Sequence, residues 1–308
     1  MQQQLKPRTI ILLTIPPLLW AGNVVVGRMI NQMIPPITLN FFRWLIAFFI
    51  LLPFSYQIFR RGSGIWQQGM RLSLLGLLGI GLYNTLQYIA LQSSSPINVT
   101  LVGSSIPVWM MIVGAIFFSV RIRREQMIGA SLSIAGVLIV LSHGELQQLL
   151  GLRLVFGDLL MICASIVWAF YSWLLLKTKE PARIRHQWAP FLSAQLAYGV
   201  LWSGLFSIGE WTGRDLHIQW NLNLVLAIAY VAIGPAVLAY KCWGDGVQQA
   251  GPNIAGFFTN LTPLFTAVLA GALLGEIPQL HHLIAFLFIV SGIAISSYQR
   301  RQPDSTSP

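Results

Sequence analysis

Long apolar segments separated by short polar ones run through the whole chain. A helix that crosses the hydrocarbon core of a bilayer needs about 20 mostly apolar residues. Ten segments fit this description, and they cover residues 10–30, 37–58, 72–92, 97–119, 126–142, 157–177, 188–211, 224–248, 252–274 and 280–298. The pattern therefore predicts an all-α integral membrane protein with ten transmembrane helices, which we number as spans one to ten.

The basic residues predict how these spans are oriented. If the spans alternate, thirteen Lys and Arg fall on one side of the membrane: Lys6, Arg8, Arg60, Arg61, Arg71, Arg121, Arg123, Arg124, Lys179, Arg183, Arg185, Arg300 and Arg301. Only Arg153 and Arg214 fall on the other side. Cytoplasmic loops carry the excess of positive residues. We therefore expect both termini in the cytoplasm.

Two stretches of the chain resemble each other. "SSSPINVTLVGSSIPVW" begins at Ser93, and "QAGPNIAGFFTNLTPLF" begins 156 residues later. This shift puts Pro96 on Pro252 and Pro107 on Pro263 without a gap. The match predicts an internal repeat.

The repeat divides the chain into residues 1–145 and 146–308, with five spans in each half. Because five is odd, the second half enters the membrane from the opposite side. Such inverted-topology repeats are a common plan of secondary transporters, which hold the substrate near the midplane between the halves. The sequence therefore predicts alternating access around a central site.

Composition agrees with a membrane protein and argues against other classes. The chain has 308 residues, of which 55% are hydrophobic and only 9% are charged, against about 25% charged in average soluble domains. The net charge of +10 does not indicate nucleic-acid binding, because the basic residues form small groups between apolar segments. Cys163 and Cys242 lie inside apolar segments and predict neither a disulfide framework nor a metal site. We expect no cofactor.

Four motifs resemble the EamA-type members of the drug/metabolite transporter superfamily. They are "LLWAGNVVVGRMI" (18–30), "PPITLNFFRWLIAFFILLP" (35–53), "GDLLMICASIVWAFYSWLLLK" (157–177) and "LTPLFTAVLAGALLGEIPQLHHLIAFLFIVSGIAI" (261–295). The resemblance implies a ten-helix inner-membrane carrier that exports small metabolites, often amino acids, or drugs. It also implies that the fifth span of each half is peripheral.

The chain departs from this family in one place. Family members often carry a Gly-Glu pair after the fourth span of each half. The second half has Gly275 and Glu276, whereas the first half has Ser119 and Val120. We therefore interpret Glu276 as a structural residue at a helix end.

Lys241 and Asp245 are the most conspicuous charges inside a span. Four residues nearly complete a helical turn, so both side chains share one face and can pair. In one interpretation they line the substrate cavity and bind a zwitterion, because the repeat aligns them with Thr85 and Ile89 inside span three. In the other, the span has already ended and Lys241 extends to the headgroups.

Aromatic and polar uncharged side chains predict the rest of the cavity wall. A small, partly apolar solute suits a wall of rings with sparse polar groups. The candidates are Trp20, Asn23, Tyr83, Asn84, Gln87, Trp109, Trp168, Tyr171, Tyr240, Trp243 and Asn260. The alternative is the interfacial aromatic belt, to which we assign Trp44, Trp66, Trp188, Trp211 and Trp220 because they lie near span ends.

Other residues are assigned structural or hinge roles. We expect Arg43 to tie helix ends through backbone carbonyls, with contact to the substrate as the alternative. We expect the negative charge of Asp158 to interact favourably with the helix dipole at the start of span six. We expect the matched Pro107 and Pro263 to free backbone carbonyls, and they are our candidate hinges, with a static kink that improves packing as the alternative.

These features predict a secondary transporter of small metabolites, with amino acids, aromatic ones included, as the leading class. Its partners are a small-molecule substrate and the lipid bilayer, without nucleic acid, and a monomer is compatible with this plan. Export of cationic drugs or of another metabolite class remains an alternative. An intramembrane enzyme is disfavoured, because the sequence has no paired metal ligands, no HExxH motif and no nucleophile with an evident base. The coupling ion is left open.

Overall fold

The computed structural model describes residues 5–30, 32–60, 63, 66–94, 99, 102–142, 147, 155–176, 187–212, 215–274 and 280–298. These residues form helices and connecting turns, without strands. The helices are α1 (Pro7–Ile30), α2 (Pro36–Ser55), α3 (Gly69–Ser93), α4 (Ile106–Phe118), α5 (Arg124–Leu141), α6 (Phe156–Leu176), α7 (Trp188–Trp211), α8 (Leu222–Ala250), α9 (Pro252–Phe258), α10 (Leu261–Leu274) and α11 (Leu280–Ser297). Short 3₁₀ turns cover Tyr56–Phe59 and Trp66–Gln68.

Seven helices of the described part are long and apolar enough to cross a membrane, namely α1, α2, α3, α6, α7, α8 and α11. Helix α4 is apolar but shorter. The prediction of a helical membrane protein is confirmed, whereas the count of ten spans stays a prediction. One reason for the lower count is that the predicted span 252–274 consists of two helices, α9 and α10.

Both candidate hinge prolines follow a break in a helix. A turn at Ser104 and Ser105 precedes α4, and a turn at Thr259 and Asn260 separates α9 from α10. Pro107 and Pro263 lie in the first turn of α4 and of α10. A proline there removes no hydrogen bond, because the first amides of a helix have no partner within it. The expectation that Pro107 and Pro263 free backbone carbonyls is therefore wrong, and their role as hinges stays a prediction.

Helices α3 and α8 each contain a segment of π-helix, at Leu77–Leu82 and Ala232–Leu238. The wider i→i+5 pattern interrupts the normal backbone ladder. The carbonyl of Gly79 accepts a hydrogen bond from the Tyr240 hydroxyl, and that of Pro235 accepts one from Trp20 Nε1 at 3.3 Å. Gly79 and Pro235 are 156 residues apart, which is the shift of the sequence repeat. A hydropathy pattern does not reveal such segments.

The contacts between helices occur in matched sets. Helix α1 packs on α8 and α10, and α6 packs on α3 and α4. Helix α2 contacts α8, and α7 contacts α3. Helices α2 and α7 also contact each other, as do α5 and α11. These contacts bring helices of the two halves together along the centre of the bundle.

Glycines set the close contact between α5 and α11. A Cβ added at Gly292 would lie 2.6 Å from the carbonyl oxygen of Gly129, and a Cβ at Gly129 would lie 2.6 Å from that of Gly292. Small residues allow such close approach of helices in a membrane. The α5–α11 pair therefore leaves no room for a side chain at either position.

Replacing Gly292 with leucine should separate α5 from α11. We expect the free energy of unfolding to fall by about 1–3 kcal/mol, the usual cost of overpacking. Thermal unfolding of the detergent-solubilised protein measures this change. Gly27→Leu is the control, because a Cβ at Gly27 meets nothing within 4 Å. Equal unfolding midpoints for the two variants would contradict the contact.

Candidate functional site

An aromatic cluster occupies the centre of the bundle. Trp168 on α6 is 2% exposed. Its ring centroid lies within 5.6 Å of five others: Trp20 at 5.4 Å, Tyr83 at 4.8 Å, Tyr171 at 5.1 Å, Tyr240 at 5.6 Å and Trp243 at 5.4 Å. We call these six residues the aromatic core. They come from α1, α3, α6 and α8, so both halves of the chain contribute.

Hydrogen bonds hold the polar atoms of the aromatic core. Trp243 Nε1 donates to Ser172 Oγ at 3.3 Å, and the Tyr171 hydroxyl donates to Gln195 Oε1 at 3.2 Å. Trp20 and Tyr240 donate to the π-helical carbonyls described above. Buried Trp and Tyr side chains normally find such partners. The rings are therefore positioned by hydrogen bonds as well as by packing.

The other polar candidates are spread around this cluster. Asn260 is 1% exposed, and its Nδ2 donates to Ser133 Oγ on α5 at 2.9 Å. Trp109 Nε1 donates to Ser105 Oγ at 3.0 Å. Asn23 and Gln87 are half-buried. Asn260 thus joins the turn between α9 and α10 to α5, rather than the aromatic core.

Lys241 and Asp245 form an ion pair on α8. Lys241 Nζ lies 3.6 Å from an Asp245 carboxylate oxygen, and their side chains are 30% and 33% exposed. The ammonium also lies 5.4 Å from the centroid of the Trp188 ring. On an α-helix, residues two apart do not share a face, so the pair points away from the side of α8 on which Trp243 meets the aromatic core, and it lies beside Trp188 with about a third of each side chain exposed.

Arg43 is buried and does not bond as the sequence suggested. Its side chain is 2% exposed. Nη2 donates to Asn84 Oδ1 at 3.1 Å and Nη1 donates to the Tyr88 hydroxyl at 3.3 Å. These partners are side chains of α3, not the backbone carbonyls that we expected. Arg43 therefore joins α2 to α3 in the interior.

The assignment of Trp44 to the interfacial belt is wrong. Its side chain is fully buried, and its ring centroid lies 4.8 Å from that of Tyr240. Position 44 is two turns inside α2, which is deep enough to face the bundle. Trp188, Trp211 and Trp220 are exposed, as belt residues would be.

Asp158 and Glu276 are the acidic residues for which we predicted structural roles. Asp158 lies in the first turn of α6 and is fully buried. Its Oδ2 accepts a hydrogen bond from the Val155 amide at 2.8 Å, and its Oδ1 accepts one from the Ser94 hydroxyl. Asp158 thus joins the start of α6 to the end of α3. Glu276 lies outside the described residues.

Glu210 is a buried acid that the sequence reasoning missed. It is 5% exposed at the end of α7. Its carboxylate accepts hydrogen bonds from the amides of Ile37 at 3.0 Å and Thr38 at 2.7 Å, and from the Thr38 hydroxyl at 2.8 Å. It therefore caps the first turn of α2. The signal available was a helix beginning Pro-Ile-Thr with no acidic residue in its first turn.

A groove of about 330 Å³ lies next to this cap, between α2, α3 and α7. Its wall is mainly apolar and includes two polar uncharged residues, and it consists of Ile37, Thr85, Ile89, Gln92, Leu205, Phe206, Gly209 and Glu210. The aromatic core contributes none of these residues. The groove is thus a feature of the α2–α3–α7 surface.

A family profile matches almost the whole chain. The profile of the EamA-like transporter family matches residues 7–142 and again residues 155–298. The chain belongs to this family. The resemblance seen in the sequence motifs is thereby confirmed. As an EamA-like transporter, the protein works on a small-molecule substrate in a lipid environment.

Similar proteins include named transporters. An uncharacterized transporter of Archaeoglobus fulgidus is 26% identical over 299 residues, covering 96% of this chain and 99% of the relative. The aromatic amino acid exporter YddG of Ancylobacter novellus is 23% identical over 247 residues, covering 80% of each chain. The uncharacterized inner membrane transporter YedA of Escherichia coli K12 is 22% identical over 262 residues, covering 84% of this chain and 80% of its own.

A solved crystal structure resembles this EamA-like transporter along its length. The TM-score is 0.71, over 93% of this chain and 95% of the other, at 20% identity. At this level of identity the likeness concerns the fold alone.

Proposed function

We propose that this EamA-like transporter exports small metabolites across the inner membrane, with amino acids, aromatic ones included, as its leading substrates. The aromatic core is the observation that carries the proposal. Six rings from four helices meet between the two halves of the chain, where carriers of this kind hold their substrate. The relative named as an aromatic amino acid exporter supports the same substrate class.

The proposed mechanism is alternating access between two inverted five-helix halves. The repeated family match, the matched helix contacts and the π-helical segments 156 residues apart support this arrangement. The distribution of basic residues supports cytoplasmic termini. Transport rather than catalysis agrees with the names of the similar proteins.

Counterflow in proteoliposomes tests the proposed substrate class. The purified transporter should exchange labelled L-phenylalanine, L-tyrosine or L-tryptophan in a saturable way, and a panel of other amino acids and of cationic drugs measures selectivity. Repeating the assay with and without a pH gradient shows whether protons are coupled to transport. Counterflow of the cationic drugs alone would favour the other substrate class.

Reporter fusions test the inverted arrangement. Reporters fused at Val120, after α4, and at position 276, after α10, should report opposite compartments. Reporters in the same compartment would exclude two inverted halves.

Lys241 and Asp245 provide a more local test. Partly exposed beside Trp188, they present two opposite charges to an entering zwitterion. We expect Lys241→Ala and Asp245→Asn each to lower the rate of counterflow about tenfold, equivalent to about 1.4 kcal/mol for one lost charged contact. A carrier of cations would need Asp245 and tolerate the loss of Lys241. Unchanged counterflow in Asp245→Asn would remove Asp245 from the mechanism.

A further inference from the structure

Arg43 is a buried cation whose recorded hydrogen bonds lead only to neutral groups. Its guanidinium donates to Asn84 and Tyr88, and its carbon Cζ lies 4.6 Å from the centroid of the Trp44 ring. The ion pairs formed among the described residues do not include Arg43. Arginine stays protonated in proteins, and a buried charge without a counter-ion is strongly unfavourable.

The surroundings of Arg43 contain more unpartnered donors than unpartnered acceptors, of which Asn40 Oδ1 is one. Two buried N–H groups of neighbouring side chains have no hydrogen-bond acceptor, Arg43 Nε and Trp44 Nε1, and the amide of Asn84 lies beside the Tyr240 hydroxyl. Each buried donor left unsatisfied costs about 1–3 kcal/mol. An ionised carboxylate would be the complementary group, because its two oxygens only accept hydrogen bonds and it carries the missing negative charge.

This group of donors adjoins the aromatic core. Trp44 contacts the ring of Tyr240, and Asn84 follows Tyr83 in the chain. A molecule bound by Arg43 through its carboxylate could therefore place an aromatic or apolar side chain against the rings. The Lys241–Asp245 pair differs, because its two charges already compensate each other and about a third of each side chain is exposed.

We infer that Arg43 binds the carboxylate of the transported substrate, with Asn84 and Trp44 as further donors. This inference rests on the proposed transport function and narrows it to substrates that carry a carboxylate. The described conformation leaves these donors occluded between α2, α3 and α8. The substrate then supplies the counter-ion when the halves move apart, and Arg43 selects acids against their amides and amines.

The test compares acids with their amides on the full-length protein in lipid nanodiscs. Direct binding of each compound in radiolabelled form is measured. The compounds are L-phenylalanine, L-phenylalaninamide and phenylethylamine, and 3-phenylpropanoate, phenylpyruvate and 3-phenylpropanamide. The wild type should prefer each acid over its amide at least about tenfold. In Arg43→Gln, acid affinity should fall about 10- to 100-fold, as for the loss of a charged hydrogen bond, while amide affinity changes little. Arg43→Lys should lie between the two, because it keeps the charge and loses the planar fork.

Two further variants separate binding from folding. Asn84→Asp places a carboxylate beside Arg43 within the protein, so it should raise the thermal unfolding midpoint and abolish acid binding. Loss of acid binding with amide binding retained, in a variant at least as stable as the wild type, would place the acid site beside Asn84 and would not reflect a loss of folding. Arg123→Gln is the matched control, because Arg123 bonds the carbonyls of Tyr298 and Ser296 at the end of α11, and its acid-to-amide ratio should equal that of the wild type.

The outcomes distinguish this inference from the proposed function. An acid-to-amide ratio that Arg43→Gln leaves unchanged overturns the inference while the amino-acid function stands. Binding of 3-phenylpropanoate or phenylpyruvate without binding of amino acids upholds the inference and overturns the amino-acid proposal. If the wild type binds the amides and amines but none of the acids, both the carboxylate site and the amino-acid proposal are wrong. If the wild type binds no compound of the panel, the carboxylate site and the amino-acid proposal are both overturned.

Discussion

Replacing Trp168 with alanine should abolish counterflow and destabilise the transporter. The side chain is almost fully buried and contacts the other five rings of the aromatic core. Truncating a buried Trp costs about 3–5 kcal/mol of the free energy of unfolding, because the contacts are lost and a cavity remains. Aromatic pairs add about 0.5–1.5 kcal/mol beyond burial. Thermal unfolding and counterflow of L-phenylalanine measure the two effects.

Two variants isolate the role of the ring in transport. Trp168→Phe keeps an aromatic face at the centre of the core, so it should recover most of the stability and change substrate affinity. Trp220→Ala removes an exposed ring that contacts Phe42, and its stability should stay within about 0.5 kcal/mol of the wild type. Wild-type counterflow by a stably folded Trp168→Ala variant would mean that the aromatic core is only structural.

The central aromatic cluster was accessible to sequence reasoning. Trp168 lies deep in an apolar span, where the interfacial belt does not account for a Trp, and the repeat aligns Trp243 with Gln87 inside span three. Both observations indicate an interior position, and the structure places both rings in the aromatic core. Trp44 was misjudged because distance from a span end does not show which face of a helix is buried.

The sequence alone does not predict the hydrogen bonds of Arg43 or the π-helical segments of α3 and α8. Hydropathy periodicity does not distinguish α-helix from π-helix, so the carbonyls of Gly79 and Pro235 could not be assigned to cross-helix donors. The unsatisfied atoms around Arg43 depend on distances between α2 and α3. For the same reason the buried cation was interpreted as a tie to backbone carbonyls.

The role of Glu210 could not be predicted either, because its hydrogen-bond partners are distant in the sequence. It lies at the end of a span beside Trp211, where an acid usually faces headgroups or water. Its partners are in α2, more than 170 residues earlier in the chain. The pairing of α7 with α2 therefore had to be known before Glu210 could be given a role.

Removing the Glu210 carboxylate should be the most destabilising change of a polar residue outside the aromatic core. In Glu210→Ala the amides of Ile37 and Thr38 lose their acceptor in a buried helix end, and the Thr38 hydroxyl loses one partner. Hydrogen bonds to a charged group contribute about 1.5–3 kcal/mol each, and losing a helix cap costs about 0.5–2 kcal/mol. We expect the free energy of unfolding to fall by about 2–4 kcal/mol, measured by thermal unfolding in detergent.

The conservative variant and a neighbouring acid complete this experiment. Glu210→Gln keeps one carbonyl acceptor and loses the charge, so its loss of stability should be about half that of Glu210→Ala. Asp215→Asn removes an acid that is 93% exposed and pairs with His217, and exposed pairs contribute only about 0–1 kcal/mol. If Glu210→Ala is no less stable than Asp215→Asn, the carboxylate does not hold α2 against α7. A loss of the predicted size would instead show that one acid at the end of α7 joins the two halves of the transporter at their α2–α7 contact.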